Sequence, residues 1–354
     1  MMQGSLADLP ERITGPAAWY GPEMEARRDW LEMLTPAEAA EVAAATERLV
    51  AAGVDIATIR AGDFPLPTLA PRLARIRRDV LDGRGFALIR GVAIDPADIR
   101  RAAIAFFGIG SHLGAARAQN AQGHVLGHVQ DLGRSSDDPS TRIYQTRERQ
   151  TYHTDSADIV GLICLRTAKS GGLSALVSAV TIYNEVRRRR LDLLPALFAP
   201  IETDRRGEVP AGAEPYFRIP VFSWHAGLLS VIYQRQYIES ARRFPEVPPL
   251  TAQQVAALDL FDALANDPAL HMHMEFRPGD IQLVHNHTLL HDRTAFEDWP
   301  EPERRRHLLR LWLAPPDARP LPPVFAERYG TVAPGARGGV SVPGLRLNAP
   351  LAAS

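Results

Sequence analysis

At 354 residues the chain suits one large domain or two small ones, and its 45% hydrophobic and 23% charged residues are those of a protein that buries a full core. A formal net charge of -1 gives no reason to expect nucleic acid or an anionic membrane surface as a partner. Cys164 is the only cysteine, which excludes an intrachain disulfide, a cysteine-rich zinc site and a self-contained iron–sulfur cluster.

The first predicted helix runs from about Thr35 to Ala52: Thr35 is the N-cap, Pro36 takes the first helical position, Glu38 sits at N3 and Gly53 follows the end. "PTLAPRLARIRRDVLDGRG" reads as a second amphipathic helix and "GFALIRGV" as a short strand. The helix "DPADIRRAAIAFFGIGSHLG" follows, started by Asp95 or Asp98, and then a polar, glycine-bearing loop from about Ala118 to Thr141 that would lie over a functional face. No basic stretch followed by an apolar core marks the N-terminus as a signal peptide. No apolar run approaches the ~20 residues of a membrane span. The expected location is therefore cytoplasmic.

From Ile143 the character changes. "RIYQT", "ADIVGLICLRTA", "LSALVSAV", "YFRIPVFSW", "LLSVIY", "HMHMEF", "DIQLVHNH" and "HLLRLWLA" are short apolar or alternating runs bounded by Gly, Pro and Asp, and they read as strands. Cys164, inside "VGLICL", reads as a small buried apolar residue. Lys169 is the only lysine, so Schiff-base chemistry could use no other. Two helices interrupt the strands, "AVTIYNEVRRRRLDLLPALF" and "TAQQVAALDLFDALAND", and the arginine run Arg187 to Arg190 reads as a solvated helix surface. The expected fold class is mostly β with flanking helices, a sandwich or barrel. The expected organisation is an N-terminal helical segment over 1–84 packed on the core, a β catalytic domain over 85–315, and an extended, proline-rich C-terminal extension over 316–354.

Candidate chemistry gathers in two stretches. In "QTYHTDSADIVGLICLRTAKSGG", His153 and Asp155 would share one face of a strand, since residues i and i+2 do. Downstream, "GDIQLVHNHTLLHDRT" carries His285, His287 and His291. Period two puts His285 and His287 on one face, and His291 would continue that parity, so each competes to be a third ligand. The strand after it holds Arg306 and Arg310 on one side with Leu308 between them. A buried arginine there needs an anionic partner, and a 2-oxo acid carboxylate supplies one in bidentate geometry.

On four pieces in order, "HTD", "SGGLS", "GDIQLVHNHTLLHDRT" and the R-x-x-x-R pair, the chain from about Gly85 to Pro315 resembles the taurine dioxygenase (TauD/TfdA) family of iron(II)- and 2-oxoglutarate-dependent oxygenases, which includes clavaminate synthase-like proteins. The resemblance implies a double-stranded β-helix (jelly roll, cupin-like) over about Ile143 to Leu313, and iron(II), 2-oxoglutarate and dioxygen as cofactor and cosubstrates. It implies His153, Asp155 and His291 as iron ligands. Arg306 matches the arginine that pairs with the distal carboxylate of 2-oxoglutarate. Arg310 matches the second arginine, nearer the iron and the substrate. Ser174 stands where the family usually has threonine and still offers a hydroxyl to the 2-oxoglutarate carboxylate. Two imidazoles and one carboxylate on one face of a metal leave open positions, the arrangement of non-haem iron(II) oxygenases.

Other readings stay open at this stage. A zinc-dependent hydrolase could use the same three ligands, but it would not need two inward arginines. A non-catalytic binding protein of the same fold would not need the full set. A halogenase would replace the carboxylate ligand with a small residue, so Asp155 points to hydroxylation or desaturation. The expected partner is a small-molecule substrate of unspecified identity; homo-oligomerisation is left open. His271 and His273 read as structural or exposed. His124 and His128 read as loop residues, and Tyr152 and Gln145 as core, supporting or substrate-contacting residues. "DRRGEVPAGAEPYFR" reads as a lid or a surface loop.

Overall fold

Strands that are apolar at nearly every position have to be covered on both faces. The two longest, Ile159–Arg166 and His307–Ala314, lie antiparallel and side by side in the larger of the two main sheets. The computed structural model describes residues 9–135, 141–342 and 344–353. The larger sheet has the order Leu31–Met33, Phe86–Arg90, Ile281–His285, Ile159–Arg166, His307–Ala314, Ala115–Ala116, with Gly127–Val129 also paired to His307–Ala314. The smaller sheet has the order His271–Met274, Ser174–Ser178, Leu289–Arg293, Gln150–His153.

Side-chain alternation divides the larger sheet between two cores. Ala87, Ile89, Ile163, Leu283, Leu309 and Leu311 face the helices Pro36–Ala51, Ala70–Asp82 and Ile99–Ser111. Leu88, Val160, Cys164, Val284, Leu308 and Trp312 face inward and meet Leu176, Met272, Met274 and Leu289 of the smaller sheet. The outer face of the smaller sheet, through Ala175, Val177 and Leu290, is covered by the helices Ala179–Arg189, Leu194–Phe198 and Ala252–Ala265. Each fully buried Leu, Ile or Val contributes ~1.5–3 kcal/mol, so the inter-sheet core fixes the register of both sheets. This is the double-stranded β-helix with flanking helices.

The helix starts follow their caps. Thr35 accepts from the Glu38 amide and its own amide donates to the Glu38 carboxylate, a closed capping box at the head of Pro36–Ala51. Asp98, not Asp95, caps Ile99–Ser111 by accepting from the Arg101 amide at 2.9 Å.

Several expectations need correcting. "RIYQT" is a 3-10 turn over Ile143–Gln145 and no strand. "YFRIPVFSW" is two strands, Tyr216–Ile219 and Phe222–His225, because Pro220 between them has no N–H to donate to a ladder. The long helix after Ser178 stops at Arg189, and a short helix restarts at Leu194 with Pro195 in its first turn. The C-terminal tail is not extended throughout, since Pro323–Phe325 and Ala326–Tyr329 are helical turns. The loop predicted over Ala118 to Thr141 contains the edge strand Gly127–Val129, and its stretch 136–140 lies outside the described residues. Among the described residues no helix is long and apolar enough to cross a membrane.

Candidate active site

The two sheets converge on one cluster. The strand Gln150–His153 ends at His153, and the strand Leu289–Arg293 pairs with it so that His291 stands opposite His153. Their rings lie 4.2 Å apart, centroid to centroid. Asp155 is in the loop beyond the strand end, so it does not share a strand face with His153 as period two suggests. Its amide donates to the Asn286 side chain at 2.9 Å, which turns the carboxylate back toward the two rings. Asp155 Oδ1 is 4.0 Å from His153 Nε2 and Oδ2 is 3.8 Å from His291 Nε2. The three residues are the metal-competent group among the described residues, with one donor atom from each within 4.8 Å of the others.

Protonation favours the same reading. Burial pushes the His153 and His291 imidazoles toward the neutral form, His291 down to about 3. Burial alone would raise Asp155, but Arg310, the two imidazoles and a hydrogen bond from Trp312 outweigh it and hold the carboxyl below its usual range. Neutral imidazoles and an ionised carboxylate are the states a divalent metal requires. His153 Nδ1 donates to the Thr151 carbonyl at 2.8 Å, which leaves the Nε2 lone pair for a metal. At present that lone pair accepts from the Gln150 amide at 2.9 Å. Trp312 Nε1 donates to Asp155 Oδ2 at 2.9 Å, and Arg310 Nη1 lies 3.4 Å from the same oxygen.

The competing histidines lie elsewhere. The strand Ile281–His285 ends at His285, and a turn separates it from Leu289–Arg293, so the parity linking His285, His287 and His291 does not hold. His287 donates to Asp158 at 3.1 Å, and Asp158 is also gripped by Arg337 at 2.6 Å. His128 is a buried partner of His307, 2.8 Å away, and Tyr152 is core. Gln145 is buried and its side chain accepts from the Arg142 amide at 3.0 Å.

Two cavities meet at the cluster. The smaller is lined by His153, Ser174, His291, Arg293, Arg306 and Arg310. The larger is lined by Tyr144, His153, Asp155, Arg310 and Trp312, with Arg142, Arg206 and Arg328 farther out. Arg306 is buried and has no ion-pair partner among the described residues; burial pulls it down to about 10. "SGG" makes room for it. Gly172 has φ +67°, and a Cβ there would meet Arg306 Nε at 2.9 Å. Ser174 Oγ lies 3.0 Å from the Gln282 side chain in the same cavity. Arg310 stacks between Tyr144 and Trp312 and donates to Gln119 at 2.7 Å. "RIYQT", read as a strand, thus supplies a wall of the site. Trp312 was legible in principle, two residues beyond Arg310 on one strand face. Gln119, Gln150 and Arg293 carry no local signal.

The profile of the taurine catabolism dioxygenase TauD, TfdA family matches residues 46–312. FR-33289 synthase of Streptomyces rubellomurinus (strain ATCC 31215) is 32% identical over 332 residues, covering 91% of this chain and 96% of that protein. The taurine hydroxylase-like protein SAT17 of Stachybotrys chartarum (strain CBS 109288 / IBT 7711) is 30% identical over 328 residues, covering 87% and 83%. Among solved structures, asparagine oxygenase in complex with Fe(II), hydroxyasparagine and succinate shares the fold, with a TM-score of 0.63 at 19% identity, covering 80% of this chain and 93% of that one. The chain belongs to the taurine catabolism dioxygenase TauD, TfdA family and is a non-haem iron- and 2-oxoglutarate-dependent oxygenase.

Proposed function

We propose that the enzyme hydroxylates a small molecule bearing an anionic group, with His153, Asp155 and His291 holding iron(II). Arg306 binds the distal carboxylate of 2-oxoglutarate in the smaller cavity, with Ser174 beside it. Arg310 stands between the two cavities and orients the primary substrate. The observation that carries this reading is the position of the His–Asp–His cluster between two arginine-bearing cavities.

The donor set suits iron(II), and Arg306, which has no ion-pair partner among the described residues, suits a carboxylate. When bound, the iron supplies the oxidising power drawn from dioxygen and 2-oxoglutarate. The chain's own residues do the rest. Trp312 and Arg310 fix the Asp155 carboxylate, and Asn286 fixes the backbone that carries it. The apolar surround of Val129, Val160, Leu162 and Leu308 keeps water from the smaller cavity.

The substrate side is cationic. Arg142 and Arg328 share one carboxylate, Glu208, at 3.2 and 3.6 Å. Asp204 is already occupied by Ser240 and Arg243. That leaves guanidinium in excess where a substrate would lie, which an anionic group would balance. The similarity to the taurine hydroxylase-like protein of Stachybotrys supports hydroxylation over desaturation. Arg206 and Glu208 belong to the segment read as a lid, and both line the larger cavity. A cytoplasmic location, where 2-oxoglutarate and reduced iron are at hand, is part of this reading.

The test is succinate release with iron(II), ascorbate and 2-oxoglutarate against a panel of small carboxylates, sulfonates and phosphonates beside neutral and cationic analogues. Stimulation confined to the anions supports the proposal. Stimulation by neutral or cationic molecules alone removes the substrate class. Hydrolysis without consumption of 2-oxoglutarate removes the reaction.

A further inference from the structure

Arg293 closes the strand Leu289–Arg293 two residues after His291, and it reaches the same small cavity as Arg306. Only 6% of Arg293 and 4% of Arg306 is exposed. Both guanidinia lie against one ring, Phe296, at 4.9 and 5.2 Å from its centroid. Two cations are thus buried side by side.

Neither has an acidic partner in contact among the described residues. Asp292, Asp131 and Glu148 act on Arg293 through space only, Asp292 being paired with Arg149 at 2.6 Å. Asp298 is the acid beside Arg306; it accepts from the Arg306 backbone amide at 2.7 Å and forms no ion pair with the guanidinium among the described residues. Arg293 Nη2 donates to the Glu148 carbonyl, while its Nε and Nη1, like Arg306 Nη1, are buried without a hydrogen-bond partner among the described residues. An unsatisfied buried donor costs about 1–3 kcal/mol, more when charged, so this arrangement is costly unless an anion enters.

We propose that Arg293 is a second guanidinium for the distal carboxylate of 2-oxoglutarate, so that Arg293 and Arg306 together select a 2-oxo diacid over a 2-oxo monoacid. This rests on the reading of the smaller cavity as the 2-oxoglutarate site. A carboxylate has two oxygens and about four acceptor positions, enough for one arginine and the free nitrogens of another. The bland alternative is that Arg293 only packs on Phe296 and ties down the Glu148 backbone.

The two are separated by calorimetric titration of oxygen-free, iron(II)-loaded protein with 2-oxoglutarate and with 2-oxopentanoate, which has a methyl group in place of the distal carboxylate. Arg293→Met is expected to weaken 2-oxoglutarate by about ten- to a hundredfold, the size of a lost charge-assisted hydrogen bond, and to leave 2-oxopentanoate unchanged. Arg293→Gln keeps a polar amide for the Glu148 carbonyl, serves as the second variant should the methionine variant fail to fold, and is expected to show the same selective loss. Equal weakening of both ligands, or an unchanged 2-oxoglutarate affinity, overturns the proposal. If the unaltered protein binds neither 2-oxo acid, the assignment of the cavity itself fails. If Arg306→Met loses the diacid preference and the Arg293 variants keep it, only the role of Arg293 fails.

Discussion

His153 and His291 face each other across an antiparallel strand pair, their rings 4.2 Å apart, although 137 residues lie between them in the chain. The pairing register, not a local motif, brings these imidazoles together. His287 lies in the turn before that strand and is excluded because its Nε2 donates to Asp158 at 3.1 Å. His287→Leu is therefore expected to leave iron binding intact and to lower stability by about 1–3 kcal/mol, the cost of leaving Asp158 short of a buried partner. Denaturant midpoints beside metal analysis check this; loss of iron with unchanged stability would contradict it.

The two arginines of the final strand should separate by readout. Arg306 is buried and has no ion-pair partner among the described residues; Arg306→Lys keeps the charge and loses the fork. It should weaken 2-oxoglutarate by about thirtyfold to several-thousandfold, as expected for roughly 2–5 kcal/mol. Arg310, held by Gln119 beside Asp155, should instead affect the primary substrate and the coupling of its turnover to succinate. Measuring 2-oxoglutarate dependence and coupling for both lysine variants decides; the reverse pattern would exchange the roles.

Trp312→Phe retains the ring in the inter-sheet core and deletes the donor to Asp155 Oδ2. Partners that orient a metal ligand are typically worth about 10- to 100-fold in affinity, and a loss of that size is expected in iron titrations. An unchanged affinity would mean that Arg310 and Asn286 suffice to hold the carboxylate.

Gly172→Ala meets two obstacles, a left-handed backbone at φ +67° and Arg306 Nε at 2.9 Å from the new Cβ. The backbone strain costs ~1–2 kcal/mol. The displaced guanidinium should raise the 2-oxoglutarate requirement as well. Strain without that kinetic effect would show that Arg306 can move aside and still bind.

A directional chain of hydrogen bonds predicts the pH dependence of stability. Arg166 donates to His307 Nδ1 at 3.2 Å, His307 Nε2 to His128 Nδ1 at 2.8 Å, and His128 Nε2 to the Pro350 carbonyl at 2.9 Å. Both rings are neutral in this arrangement. Burial first, then His128, Arg166 and Arg306, pushes His307 from 6.5 down to about 3. The folded state thus binds the proton less readily than the unfolded chain. The contribution is complete above the unfolded value and is lost as pH falls from about 6.5 toward 3. Urea midpoints between pH 7.5 and 5 should fall in the unaltered protein and fall less in His307→Gln. An equal fall in both would contradict this.

Much of the site was legible because its chemistry lies in residue types that soluble cores rarely bury. His153, Asp155, His291, Arg306 and Arg310 stood out as polar residues inside or beside apolar strands. The geometry behind them was not legible. Period two placed His153 and Asp155 on one strand, whereas the strand ends at His153 and Asn286 positions Asp155. His285, His287 and His291 read as one parity, but His285 ends one strand, His287 lies in the turn, and His291 is on a strand of the other sheet. Gln119, Gln150 and Arg293 reach the site through tertiary packing, and sequence periodicity carries no record of that.

The central claim, that His153, Asp155 and His291 hold the iron, is tested most directly by metal analysis of oxygen-free, iron-reconstituted protein. The unaltered chain and His287→Leu are predicted to retain stoichiometric iron(II), while His153→Ala, Asp155→Ala and His291→Ala, each still folded by circular dichroism, are predicted to lose it. Retention of stoichiometric iron by a folded His291→Ala variant, beside its loss from His287→Leu, would contradict the account.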